Sequence, residues 1–337
     1  WRTVAPYGTD RLASLAGELR SLPRLDPSVP ALVGFSFTPE GPRRPEWDGF
    51  TSTAALVPAI CIIRKPGECR LVATLAPGRS ATDVLEALRS LEPLGRPGDV
   101  RAADHTIESR PTPTDWVHEV REAVESIRSG AMDKVVLARE VTVRSDVGTP
   151  PFDLVSRLRS AYPGCFTFGW QEGEAAFVGA TPELLGEGEE DDRGLGEALM
   201  ASDKDLAEHE LVVEDVAGRL GPLVERLDVP ATPRLLKLAH VQHLSSEIVG
   251  RLQDRLSVVE GADILHPTPA VGGTPRSEAL AFIEKAEGVD RGWYSGGIGW
   301  ARPDGDGEIA LALRCALLRG ATAHLYAGAG IAAGSCP

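Results

Sequence analysis

Several places in this chain set a reactive side chain against apolar neighbours. The first is Lys134, in Met132-Asp133-Lys134-Val135-Val136-Leu137-Ala138-Arg139-Glu140-Val141, a run otherwise patterned as a buried strand. Lysine is scarce here. Lys65, Lys134, Lys204, Lys237 and Lys285 are the only five, so thirty of the 35 basic residues are arginine. Arginine keeps its proton in a protein, whereas burial disfavours an ammonium and can turn lysine into a general base. Lys134 therefore reads either as such a base or as the solvated end of a strand. Glu183 lies in Phe177-Val178-Gly179-Ala180-Thr181-Pro182-Glu183-Leu184-Leu185. A carboxyl among apolar neighbours holds its proton and can act as a general acid. The same residues also make a helix N-terminus, with Thr181 as cap, Pro182 first and Glu183 in the opening turn.

Asp205 and Glu208 stand three residues apart in a predicted helix from Asp203, so they share a face. His209 follows, and Val212, Val213 and Val216 bury part of the same helix. Two carboxylates beside an apolar stripe could ligate a hard cation such as Mg²⁺, or could serve only the helix dipole. Arg314 sits inside the apolar run Leu311–Leu318. A buried arginine needs an anion, supplied by the protein or by a ligand carboxylate. The small residues of Tyr326-Ala327-Gly328-Ala329-Gly330-Ile331 let backbone N–H groups converge on an anion, or make a tight turn. His243 is a hydrogen-bonding partner or a core histidine. His209, His243 and His266 lack the spacing of a zinc site. Gly296-Gly297-Ile298-Gly299 fits neither the dinucleotide fingerprint nor a P-loop.

The elements that must position these groups follow from periodicity and punctuation. Helical spacing covers 9–21, 80–92, 114–129, 152–161, Asp203 to Leu227, and 277–286. β-branched and apolar runs predict strands at 31–37, 54–63, 69–75, 134–144, 308–318 and 322–327, a strand pair within 235–249, and a hairpin 165–170/175–180 across Glu172-Gly173. Hairpins with helices set to one side predict an α+β domain rather than alternating βαβ units. A soft boundary between residues 93 and 112 divides 1–105 from 106–337. The acidic run Gly186–Gly194 reads as a surface loop.

With 337 residues and 42% hydrophobic composition, the chain can bury a sizeable core. A formal charge of −14 argues against a nucleic-acid or anionic-membrane surface. It leaves a small molecule as the expected partner, and an anionic one would need local positive charge or a metal. Cys61, Cys69, Cys165, Cys315 and Cys336 are odd in number and scattered, which suits a reducing cytoplasm. No apolar stretch is long enough to span a membrane and no signal peptide is visible. The sequence begins at Trp1 rather than at a methionine.

Taken in order, the segments DKVVLAREV, FVGATPELL, SDKDLAEHELVVEDV, VQHLSSEIVG, LHPTPAVGGTP, GGIGW, IALALRCALL and YAGAGIAAG resemble the chorismate-utilising enzymes, the superfamily of anthranilate synthase component I. They cover most of 130–334; residues 1–105 match only loosely. Ammonia-using members differ at the Lys134 position and water-adding members keep lysine, so the chain is most similar to the isochorismate synthases, with salicylate synthases next. The resemblance implies one large domain of two packed antiparallel sheets flanked by helices, with residues 1–105 as its N-terminal part and 106–337 as its catalytic region, and it implies that chorismate and water give isochorismate. Lys134 would be the base, Glu183 the acid, and Mg²⁺ the cofactor, held by Glu208 with Asp205 beside it. Arg314 and the backbone at Gly328 would hold the enolpyruvyl carboxylate. Tyr326, Ala270, Val271 and Leu313 would line the wall, with His243 near the ring. It further implies a cytoplasmic monomer without a glutamine amidotransferase subunit, serving menaquinone or catechol-siderophore formation. A non-catalytic homologue is the reading from another class.

Two departures stand out. The family has a P-[LI]-A-G-[ST] loop between the Glu183 and Asp205 positions, where this chain has its acidic run. The family also continues past AGAGI into a helix with a second metal glutamate, whereas this sequence passes to Gly334-Ser335-Cys336-Pro337. The expectation is that residues are missing from the sequence at both points.

Overall fold

The structure is a computed structural model. It describes residues 2–3, 8, 10–21, 29–75, 80–90, 104–181, 200, 202–237 and 242–336. The N-terminal third carries β1 (Arg2–Thr3), α1 (Arg11–Arg20), β2 (Ala31–Phe35), β3 (Thr53–Leu56), β4 (Ile60–Lys65), β5 (Glu68–Ala73), α2 (Ala81–Ser90) and β6 (His105–Arg110). The middle carries α3 (Pro113–Arg128), β7 (Lys134–Ser145), α4 (Pro151–Ala161), β8 (Phe166–Glu172), β9 (Ala175–Thr181), α5 (Asp203–Leu220), β10 (Val224–Asp228), β11 (Arg234–Lys237), β12 (Gln242–Ser245) and β13 (Val249–Leu252). The last part carries α6 (Val258–Leu265), β14 (Gly273–Thr274), α7 (Arg276–Ala286), β15 (Gly297–Ala301), β16 (Gly307–Leu311), β17 (Cys315–Arg319) and β18 (Thr322–Ile331).

Two antiparallel sheets form the centre. One runs β1-β3-β2-β15-β16; the other runs β14-β7-β18-β17-β9-β8, with β6 also on β7. Because β15 pairs with β2, residues 31–35 and 297–301 share one sheet. The early and late parts of the chain are therefore built into a common core. Between the sheets lies an aromatic cluster, with Trp47, Phe50, Phe168, Trp170, Phe177 and Trp293 at its heart. Leu12 and Leu15 of α1 and Val259 of α6 cover the outer face of the first sheet. Val120 and Val124 of α3 and Ala279 and Ile283 of α7 cover the second. The order helix, sheet, sheet, helix is the α+β architecture expected from the sequence.

Burial on both faces explains why β7 opens with five consecutive buried residues. Val135 and Leu137 face the helices, whereas Ala138 faces the aromatic cluster. At the head of β7, Gly273 is paired with Val135 at φ 146°, where a Cβ would come 2.2 Å from the Lys134 carbonyl. Only glycine lets β14 approach this closely, and that approach fixes the backbone of Lys134.

Several predicted elements break where the backbone chemistry requires it. The 54–63 run is two strands parted by Val57, Pro58 and Ala59, since proline cannot donate to a ladder. The helix from Asp203 stops at Leu220, not Leu227; Gly221 and Pro222 end it, and Val224–Asp228 is a strand. The strand pair expected within 235–249 is β11 with β12, but it ends at Ser245, and Val249 starts a strand on β10. The cap of α3 is Thr112, whose hydroxyl accepts the Asp115 N–H, so the helix begins one residue ahead of the predicted 114. The run 326–331 is no turn; it continues β18 and pairs throughout with β7. No helix among the described residues is long and apolar enough to cross a membrane.

Candidate active site

A cavity of about 610 Å³ opens at the head of β7. β7 lends it Lys134 and Val136, and β18 lends Tyr326, Ala327, Gly328 and Gly330. From α5 come Asp205, Glu208, His209 and Val212; from β12, His243 and Leu244. Ala270 and Val271, from the turn before β14, make one wall. Tyr294, Ser295, Leu313 and Arg314 complete it. Ten of the eleven residues singled out from sequence therefore face one space, although they span residues 134 to 328. The eleventh, Glu183, lies outside the described residues, as does the acidic run 186–194. β9 nevertheless ends at Thr181, and the Ala180 N–H donates to the Arg314 carbonyl at 3.2 Å. The chain thus leaves β9 beside a residue of the cavity.

Lys134 is buried, with its side chain 7% exposed, so it is no solvated strand end. Its Nζ lies 3.2 Å from Glu208 Oε2. Gly330 is what admits this pair. A Cβ on it would stand 3.2 Å from Glu208 Oε2 and 3.3 Å from Lys134 Cε. Glu208 is brought there by α5, whose N-cap Ser202 accepts the Asp205 N–H and so sets the first turn. Asp205 and Glu208 then sit one turn apart on the cavity face.

No group of three or more His, Cys, Asp or Glu side chains among the described residues is arranged to hold a metal. The donor set is therefore two hard carboxylates. That is a fit for Mg²⁺, which keeps water and ligand oxygens in its remaining positions.

On the opposite side Arg314 departs from expectation. It does not lie within a strand and is exposed: the 308–318 run breaks at Ala312–Arg314, and Arg314 takes φ 47° between β16 and β17. Its partner is an imidazole rather than a carboxylate. Nη2 donates to His243 Nε2 at 2.7 Å, which places the His243 proton on Nδ1. Partial burial and then the Arg314 charge hold His243 below the usual histidine range. His209 is lowered by burial and then by the Lys134 charge, and it hydrogen-bonds Ser246 at 2.8 Å.

Two cavity residues that sequence reasoning left unassigned are Tyr294 and Ser295. The Tyr294 ring stacks on Tyr326, centroids 5.3 Å apart at 16°. Burial pushes its phenol to about 12 and lifts Tyr326 further. Ser295 has φ 60°, and its carbonyl accepts from His266 Nε2 at 2.9 Å. The two non-glycine residues with positive φ among those described, Ser295 and Arg314, both line this cavity. Strained backbone of this kind gathers where side chains must be aimed. The signal available in sequence was Tyr294 beside the Gly296–Gly299 run. The assembled site has a lysine, two carboxylates, a guanidinium held by an imidazole and a flat aromatic wall, suited to a small, ring-shaped anion.

The family model for chorismate binding enzymes matches residues 21–188 and 185–337. The salicylate biosynthesis isochorismate synthase of Pseudomonas aeruginosa is 36% identical over 92% of this chain and 71% of its own length. The isochorismate synthase MenF of Bacillus subtilis is 32% identical over 90% of this chain and 70% of its own. Among solved structures, the menaquinone-specific isochorismate synthase MenF from Escherichia coli superposes with a TM-score of 0.82 and 29% identity, covering 99% of this chain and 79% of that one.

Proposed function

The chain belongs to the chorismate-binding enzyme family, and from that premise we propose that it is an isochorismate synthase, converting chorismate to isochorismate for menaquinone or catechol-siderophore formation. Water adds at ring carbon 2, both ring double bonds move along by one position, and the hydroxyl on carbon 4 leaves as water. Lys134 takes a proton from the attacking water, and Glu183 gives one to the departing hydroxyl. The two must act from opposite sides of the ring, so one residue cannot do both. Arg314, aimed by His243, and the backbone at Gly328 hold the enolpyruvyl carboxylate. Tyr326, Leu313, Ala270 and Val271 form the wall against which the ring lies, so reacting atoms stay in line. Glu208 with Asp205 would hold Mg²⁺, which when bound offsets the charge of the ring carboxylate.

The observation that carries this reading is the buried Lys134 at 3.2 Å from Glu208, in a cavity that also holds Arg314. Once it has given up its proton, the Lys134 amine can activate water there. The test is to incubate the protein with chorismate and Mg²⁺ and identify products by NMR. Isochorismate alone is the expected result. Enzymatic salicylate with pyruvate would make it a salicylate synthase. Faster formation of an aminated product on adding ammonia would overturn the assignment to the water-adding group.

A further inference from the structure

A second cavity, about 860 Å³, is bounded by α1, the 37–44 segment and α7. It shares a wall with the first. His266 lines it and bonds to Ser295 of the first cavity. Arg291 lines it and donates to the carbonyls of Val136 and Val271, at 2.7 and 2.8 Å, both of which line the first.

Its lining counts five arginines against five carboxylates, yet the charges are unevenly paired. Arg291 has Glu287 in contact, and at the mouth Arg43 has Glu40 at 3.8 Å. Asp290 accepts the backbone N–H groups of Arg43 and Arg44. The inner end is different. Arg11 is 4% exposed, and its four hydrogen bonds all go to neutral oxygens of Ser36, Thr38 and Ser52. Arg276 is half-buried and donates to the His266 carbonyl. Neither makes an ion-pair contact with a carboxylate among the described residues. Arg11, Arg276 and Arg291 all act electrostatically on His266, which burial keeps neutral, to about 3. The carboxylate acting on both Arg11 and Arg276 is Asp263, itself raised by burial.

The carboxylates that act on these two guanidiniums, Asp263 with Glu40 on Arg11 and with Asp215 on Arg276, do so from beyond contact distance, so neither cation has a touching counter-ion among the described residues. A buried cation without a touching counter-ion is costly, and an anion that supplies one is bound with a corresponding gain. Beside these groups stand Leu12, Pro267 and Leu280, an apolar surface that inorganic ions would not use. The volume lies within the range of small-molecule sites.

We infer that this cavity is a second binding site, which takes a small organic monocarboxylate with its anionic group on Arg11 and Arg276 and its apolar body against Leu12 and Leu280. The site stands apart from the chorismate reading and does not depend on it.

The probe is 4-fluorobenzoate, titrated into the whole chain at constant ionic strength and followed by ¹⁹F NMR. Arg276→Gln should weaken saturable binding at least tenfold. Arg314→Gln, in the first cavity, should leave that binding unchanged. Asp263→Asn should tighten it at least threefold by removing the competing charge, a gain that misfolding would not produce. Non-saturating binding overturns the inference. So does weakening by Arg314→Gln with none by Arg276→Gln, or unchanged affinity in Asp263→Asn.

Discussion

Replacing Glu287 with glutamine is the sharpest test of how β7 is held in place. One edge of β7 pairs with β18 along its length; the other meets β14 at residues 134–135 and β6 at 140–145. The gap between is filled by side chains. Glu287 Oε1 accepts the Ala138 N–H at 2.7 Å, and Arg291 donates to the Val136 carbonyl at 2.7 Å. The two side chains are each 3% exposed and bonded to one another, with Arg291 Nε on Glu287 Oε2 at 2.8 Å. An ion pair here takes the place of a strand. Glu287→Gln keeps an oxygen for Ala138 but turns an amide nitrogen toward a guanidinium donor, leaving a buried cation unbalanced. Breaking one side of such a pair costs about 3–5 kcal/mol. At a urea slope of about 3 kcal/mol/M, the unfolding midpoint should fall by about 1 M or more. In the double variant Glu287→Gln/Arg291→Met, the total cost should be less than the sum of the single costs by about 1 kcal/mol or more. A midpoint loss under about 0.3 M for Glu287→Gln, at an unchanged slope, would refute the reasoning.

Gly330→Ala should leave the urea midpoint nearly unchanged while lowering kcat/KM about tenfold, because the new methyl must displace the Lys134–Glu208 pair by a few tenths of an ångström; unaltered turnover would remove that pair from the chemistry. Arg314→Gln should raise KM for chorismate roughly 10- to 100-fold, the loss of a charge-assisted hydrogen bond, with a smaller change in kcat, as steady-state kinetics would show. The buried His266 gives a pH dependence with a definite sign. Its imidazole titrates near 3 in the fold, against 6.5 unfolded. The unfolded chain therefore binds more protons between these values, and stability falls as pH drops below about 6.5. The loss from this residue should reach about 2 kcal/mol at pH 5. His266→Gln should make the wild-type decline in urea midpoint between pH 7 and 5 correspondingly shallower.

The fold class was readable because hairpin punctuation and helical spacing are local properties. β8 and β9 turn about Gly173, at φ 57°, where the dipeptide Glu172-Gly173 predicted it. What was not readable were the breaks inside apolar runs. Leu311–Leu318 has the composition of one strand, and nothing local reveals that Arg314 adopts φ 47° to turn its side chain out of the sheet. The pairing of β2 with β15 is likewise invisible in a single sequence, since the partners lie more than 260 residues apart. Lys134, Asp205, Glu208, His243 and Arg314 were legible by type, being polar groups set against apolar ones, whereas Ala270, Val271, Leu313 and Tyr326 entered through the family resemblance alone. Tyr294 and Ser295 were not, because their roles come from a stacking partner on β18 and a positive φ.

The account depends most on the amine of Lys134. Lys134→Gln is one atom shorter and keeps a hydrogen-bonding end but no basic nitrogen, and its conversion of chorismate in the presence of Mg²⁺, followed by NMR, measures that dependence directly. The predicted result is a fall in isochorismate formation of about 10²- to 10⁴-fold, the usual worth of a general base, with the fold retained by circular dichroism. Isochorismate formed at the wild-type rate by this variant would contradict it.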